Sequence, residues 1–141
     1  MDLQEFERVI KRAVTGFQEK YPCLPRVEVI GPETLLILEQ WKAAEKFGVY
    51  VLFTPGDEKV AYVGKAAPGW IGGRLADKTG KPGKKGDYPS RKPWITNETL
   101  YMAFTYTDSV CMFAPALESH VIRELKSQDK GPTQNKIWTK W

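Results

Sequence analysis

Cysteine and histidine are scarce in this chain of 141 residues: Cys23, Cys111 and His120 are all it has of either. So few, so far apart, exclude a disulfide scaffold and a Cys/His zinc site, and the unpaired thiols suit a reducing compartment. Histidine-centred catalysis would have to use His120 or nothing. Long apolar runs are missing as well. None approaches the ~20 residues that a membrane span needs, so no membrane association is expected. The opening MDLQEFERVI interleaves acids with apolar residues and lacks the basic-then-apolar layout of a secretory signal. A cytoplasmic location is expected, nucleoid-associated if the source is prokaryotic. What is present, 42% apolar and 27% charged residues, is the balance of a soluble domain with room for one sizeable core.

The net charge of +4 is unevenly distributed. Residues 65–92 hold Lys65, Arg74, Lys78, Lys81, Lys84, Lys85, Arg91 and Lys92 against Asp77 and Asp87, a local +6, while the remainder is slightly acidic. A patch of this density suits a polyanion such as a phosphate backbone, although a solvated lysine loop would show the same composition.

Leu3, Phe6, Ile10, Val14 and Phe17 recur at helical spacing, which predicts an amphipathic helix over residues 2–20, ended by Tyr21-Pro22. An extended piece follows at Arg26–Ile30. Gly31-Pro32 then opens an expected second helix from about Glu33 to Lys46, in which the LLIL run could alternatively be a strand, with Trp41 as core or edge packing. The segment GVYVLFTPGDEKVAYVGK predicts a β-hairpin, residues 70–79 a short helix, LYMAFTYT a third strand, and Pro115 the first turn of a final helix reaching Lys126.

With the hairpin loop at Thr54–Glu58, Tyr50 would lie directly across from Tyr62, a stabilising aromatic pair or the beginning of a site. Gly48 and Gly64 flank the pair where missing side chains permit close approach of backbone or ligand. On the final helix, a rotation of roughly 100° per residue puts Glu118 inside the apolar face of Leu117, Val121, Ile122 and Leu125, where a carboxylate calls for a metal ion or an arginine partner. The same rotation turns His120 to the polar side, as a surface residue. Arg74 and Lys78 fall among apolar neighbours on the 70–79 helix, and a guanidinium held there suits phosphate oxygens or an internal salt bridge.

Gly48-Val49-Tyr50, an 11-residue interval, Tyr62-Val63-Gly64, then Arg74, Glu118 and a Pro132-to-Asn135 ending together resemble the GIY-YIG nuclease family, with Val for Ile in both triplets. The resemblance covers about residues 47–137. It implies an α/β (α+β) domain over 47–141, a small three-stranded antiparallel sheet flanked by helices; residues 1–46 fall outside the resemblance, and their own pattern predicts a helical extension packing on that core. It also implies a divalent-metal-dependent endonuclease, taking Mg2+ or Mn2+, with DNA expected in preference to RNA; with one module of this size, double-strand cleavage would need a homodimer or two sequential nicks. Glu118 is then the metal ligand, Arg74 holds the scissile phosphate, Tyr50 or Tyr62 activates water, Lys65 polarises the site and Asn135 supports its geometry. Lys78 stands where many members carry His or Tyr, as a base or a phosphate contact. Lys81, Lys84, Lys85, Arg91 and Lys92, with Tyr88 and Trp94 interleaved, are expected to grip nucleic acid. Trp138 and Trp141 are expected to close the hydrophobic end. The alternative is a noncatalytic nucleic-acid-binding domain of the same fold; a protein-interaction module using the N-terminal helix is a further rival.

Overall fold

A computed structural model describes residues 1–37, 40–67, 69–79, 92–106 and 112–135. Chain order is α1 (Leu3–Lys20), β1 (Glu28–Thr34), β2 (Phe47–Phe53), β3 (Tyr62–Ala66), α2 (Ile71–Thr79), β4 (Leu100–Tyr106) and α3 (Ala114–Ser127). The architecture is α+β, built on one antiparallel sheet in the order β1-β4-β2-β3. Among the described residues, no helix is long and apolar enough to cross a membrane.

β2 lies between β4 and β3 and is covered on both faces, which is why it reads as a continuous apolar run. Val49, Val51 and Phe53 point to one side, where they meet Met102 and Phe104 of β4 and the apolar stripes of α1 and α3. Tyr50 and Leu52 point to the other side, toward Tyr101, Ala103, and Ile71 and Leu75 of α2. α1 is capped by Asp2, whose carboxylate accepts the Glu5 N–H at 2.8 Å, and it buries Phe6, Val9, Ile10, Ala13, Val14 and Phe17. Phe6 stacks on Phe53 with ring centroids 4.3 Å apart. Leu3, at the end of the predicted stripe, stays 40% exposed.

Two expectations are corrected here. The sheet has four strands, not three, because β1 closes the outer edge of β4. Nor do the described residues between Glu33 and Lys46 form a helix: β1 runs on to Thr34, and residues 35–37 and 40–46 are irregular. The ladder shifts register between Ile30 and Glu33, around Gly31-Pro32. A proline, which has no N–H to donate, is tolerated at a bulge on an edge strand. Gly31 has φ +89°, and a Cβ there would lie 2.7 Å from the Tyr101 carbonyl oxygen. The apolar residues beyond act as anchors. Leu35 donates its N–H to the Thr99 carbonyl at 2.9 Å, and buried Trp41 donates Nε1–H to the Leu35 carbonyl at 2.8 Å. These bonds join the 35–46 stretch to the sheet, so tertiary contacts override the local pattern.

His120 is also corrected. It does sit off the buried stripe of α3, but α1 crosses that side, so His120 lies in the seam between the helices with its ring 5.4 Å from Phe17. Its Nε2 is buried without a hydrogen-bond partner among the described residues, and burial pushes its pKa down.

Candidate active site

The site begins with the β2–β3 register. Tyr50 pairs with Gly64 and Leu52 with Tyr62, so the tyrosines are diagonal neighbours on one sheet face, not the directly opposed pair expected. The difference comes from the loop, which spans residues 54–61 and closes on an Ala61 N–H to Leu52 carbonyl bond of 2.9 Å. Diagonal placement still brings long side chains together. The rings stack with centroids 5.9 Å apart and planes inclined by 23°. Gly64 makes this possible, since a Cβ there would sit 2.5 Å from the Tyr50 Cζ and hydroxyl oxygen and 2.7 Å from Tyr62 Cε1. Gly48 has φ +150°, and a Cβ there would run into the Phe104 carbonyl of β4. The first glycine therefore serves strand packing, and the second makes room for the phenols.

α2 crosses the same face. Its first turn is fastened by Ile71 and Gly72, whose N–H groups donate to the Lys46 and Ala44 carbonyls at 2.9 and 3.0 Å. Gly72 permits the approach, because a Cβ there would lie 2.8 Å from the Ala44 oxygen. With Ile71 and Leu75 buried, Arg74 and Lys78, four residues apart, both line the cavity beside the tyrosines. The Lys78 ammonium donates to the Tyr50 hydroxyl at 3.1 Å and lies 4.2 Å from the centre of the Tyr62 ring. On the opposite wall, α3 presents Glu118, whose side chain is 14% exposed and ion-paired with Lys65 of β3 at 3.6 Å. Asn135 clamps the free edge of β3: its Oδ1 accepts from the Val63 N–H at 3.0 Å and its Nδ2 donates to the Val63 carbonyl at 2.7 Å.

Tyr50, Tyr62, Lys65, Arg74, Lys78, Glu118 and Asn135 thus line one cavity of about 390 Å3. Asp77 and Ser119 line it too. Asp77 figured in the sequence only as one of two acids in the basic 65–92 stretch, and nothing in the sequence singled out Ser119. A second cavity, of about 640 Å3, adjoins the first and is lined in part by Lys92 and Trp94. Lys81, Lys84, Lys85, Tyr88, Arg91, Trp138 and Trp141 lie outside the described residues.

Burial sets the proton affinities here. It pushes the Lys78 amine down to about 8; Asp77 opposes the shift, and Lys92 and Arg74 add to it. Burial and neighbouring Tyr62 raise Tyr50 well above the ordinary phenol value, with Arg74 pulling the other way. Glu118 is raised by burial, against the opposing pull of Lys65. In this cleft burial moves the lysine toward neutral pH and both phenols away from it.

Among the described residues, no three His, Cys, Asp or Glu side chains cluster as a preformed metal cage. The metal-type donors facing the cavity are hard oxygens, foremost the Glu118 carboxylate, whose lysine partner is exposed. Such a set fits a magnesium-type ion, which keeps several waters and completes its shell with substrate phosphate. No known protein family, curated protein or solved structure matches this chain.

Proposed function

We propose that the protein is a divalent-metal-dependent endonuclease that hydrolyses phosphodiester bonds in DNA, in the manner of the GIY-YIG nucleases that its signature residues resemble. One observation carries the reading: two phenols, a guanidinium, an amine and a partly buried carboxylate, drawn from β2, β3, α2 and α3, line a single cavity. In-line attack on a phosphodiester builds negative charge on the nonbridging and leaving oxygens, which calls for a fixed arginine fork and a Lewis acid. Arg74 binds the nonbridging oxygens. Glu118 holds the divalent ion, Mg2+ or Mn2+, which when bound supplies charge neutralisation and a more acidic water.

The proton path follows from the Lys78–Tyr50 contact. A phenol with a raised pKa is a poor standing base. It can nonetheless pass a proton along once Lys78, which donates to the Tyr50 hydroxyl at 3.1 Å, has lost a proton of its own: Tyr50 then takes one from the attacking water as it gives its own to the amine. Tyr62 supports the Tyr50 ring, Lys65 balances Glu118 until substrate and ion arrive, and Asn135 holds the edge of β3 in place.

One observation favours a second reading. The Lys65–Glu118 pair already neutralises the carboxylate, as it would in a noncatalytic domain that grips phosphate without cutting it. A single assay separates the two. Purified protein is incubated with supercoiled, linear, branched and single-stranded DNA in magnesium or in chelator. Metal-dependent cleavage of any of these supports the nuclease; clear binding with no cleavage of any supports the noncatalytic domain.

A further inference from the structure

The second cavity shares Tyr62, Lys78 and Asn135 with the catalytic cleft, yet the hydrolysis described above makes no use of it. Its volume of about 640 Å3 falls within the ~300–1,000 Å3 typical of small-molecule sites. The chemistry of its walls is mixed in a particular way. Trp94 stands nearly parallel to Tyr62, with planes inclined by 18° and centroids 6.4 Å apart, which extends the Tyr50–Tyr62 stack toward this cavity. Lys92 supplies positive charge, and Thr133 and Gln134 bring a hydroxyl and an amide from the segment that precedes Asn135. The backbone of that segment is fixed, because the Thr133 and Gln134 N–H groups donate to the Val60 and Ala61 carbonyls at 3.0 and 2.8 Å.

A phosphate site needs cations and donors but has no use for an indole. A flat heteroaromatic ring needs a stacking surface and a polar group at its edge, and this cavity has both. A base that remains paired and stacked in a duplex cannot enter a side cavity; one that is unpaired or flipped out can. We propose that the cavity between Trp94 and residues 133–135 receives a nucleobase that has left the helical stack, so that the substrate is DNA carrying an unpaired nucleotide beside the phosphate held in the adjoining cleft. Trp94 stacks on the base, Gln134 reads its edge, and Lys92 meets the flanking backbone. This rests on the nucleic-acid reading of the neighbouring cleft and narrows it to a substrate class.

The test compares binding of a labelled, fully paired duplex with binding of the same duplex carrying one unpaired nucleotide, by fluorescence anisotropy in chelator. Wild type should prefer the second. Trp94→Ala should lose about 5- to 100-fold in affinity for the unpaired substrate and so narrow or abolish its preference over the paired duplex, and Trp94→Phe should keep most of that preference. Trp94 packs against the second core, so Gln134→Ala, an exposed residue on the facing wall, gives an independent check: it should lower the preference about 5-fold without touching paired-duplex binding. Equal wild-type affinity for both substrates, or variants that weaken both alike, overturns the base site. Parallel incubation in magnesium separates it from the nuclease reading. Cleavage without any Trp94-dependent preference removes the base site alone. A Trp94-dependent preference without cleavage upholds the base site and removes the hydrolase. No binding of either DNA by wild type removes both.

Discussion

Lys78 meets two opposed demands at once. Its amine is half-buried against two phenol rings, which disfavours the ammonium, and that same pressure brings its pKa to about 8, where it can accept a proton. The stability consequence has a definite sign. Below about 8 the lysine is charged in both the folded and the unfolded chain, so its full burial penalty is present. As pH rises from about 8 toward the ordinary value of 10.5, the folded protein gives up the proton first and the penalty fades. Lys78→Met should therefore raise the melting temperature at pH 6.5, by a margin that shrinks above pH 8, and should abolish turnover. In wild type the rate should climb with pH and level off above about 8. A rate profile unchanged by the substitution would remove the lysine from the proton path. Gly64 is the other residue whose role is steric and sharp. Gly64→Ala puts a methyl group 2.5 Å from the Tyr50 hydroxyl, so it should displace Tyr50 and cost activity while Glu118 and Arg74 remain in place. Ultraviolet difference spectra of the tyrosines together with kcat would report it; full activity would show that the ring stack is dispensable.

At the scale of elements, the site depends on fastenings that carry no chemistry themselves. α2 is tied by its first turn to the Ala44 and Lys46 carbonyls, and β3, an edge strand, is held on its open side by Asn135. Asn135→Ala leaves the Val63 N–H and carbonyl without those partners and should cost roughly 1–3 kcal/mol of stability. Because β3 carries Tyr62 and Lys65, turnover should fall as well, with the ordinary metal requirement retained. Chemical denaturation and steady-state kinetics check this, and an unchanged unfolding midpoint would show that the clamp is redundant. The elements themselves differed in how well their sequences announced them. α1, α2, β4 and α3 have a clean period or an apolar run bounded by breakers, and they fall close to their expected bounds. The Glu33–Lys46 segment misled because Gly31-Pro32 looks like a helix opening, whereas it serves a bulge whose partners on β4 lie about seventy residues away. The hairpin register misled by two positions because nothing local fixed the length of a loop running through residue 61. The shared face of Tyr50 and Tyr62 survived, since a shift of two preserves side-chain parity.

For the molecule as a whole, the sheet divides the core in two. One face, under α1 and α3, is packed with aliphatic and aromatic side chains; the other, under α2, carries the polar cleft at its edge. Lys65, Arg74, Lys78 and Lys92, half of the basic residues in the 65–92 stretch, line the two adjoining cavities, so the charge excess seen in the sequence is focused where substrate would lie. The types of residue forming the cleft were legible because burying a cation or an acid on an apolar helix face demands a reason. Their partners were not: that Lys65 rather than Arg74 would pair with Glu118, and that Lys78 would reach Tyr50, depends on how far four separate elements lean toward one another. The most direct measurement is DNA binding and magnesium-dependent cleavage on matched preparations of wild type and Glu118→Gln. Binding should be preserved or slightly tighter, because a negative charge leaves the cleft, while cleavage should fall about a hundredfold or more. Undiminished cleavage by Glu118→Gln at ordinary magnesium would contradict the role given to the carboxylate, and with it the claim that these side chains gather around a metal-assisted phosphodiester.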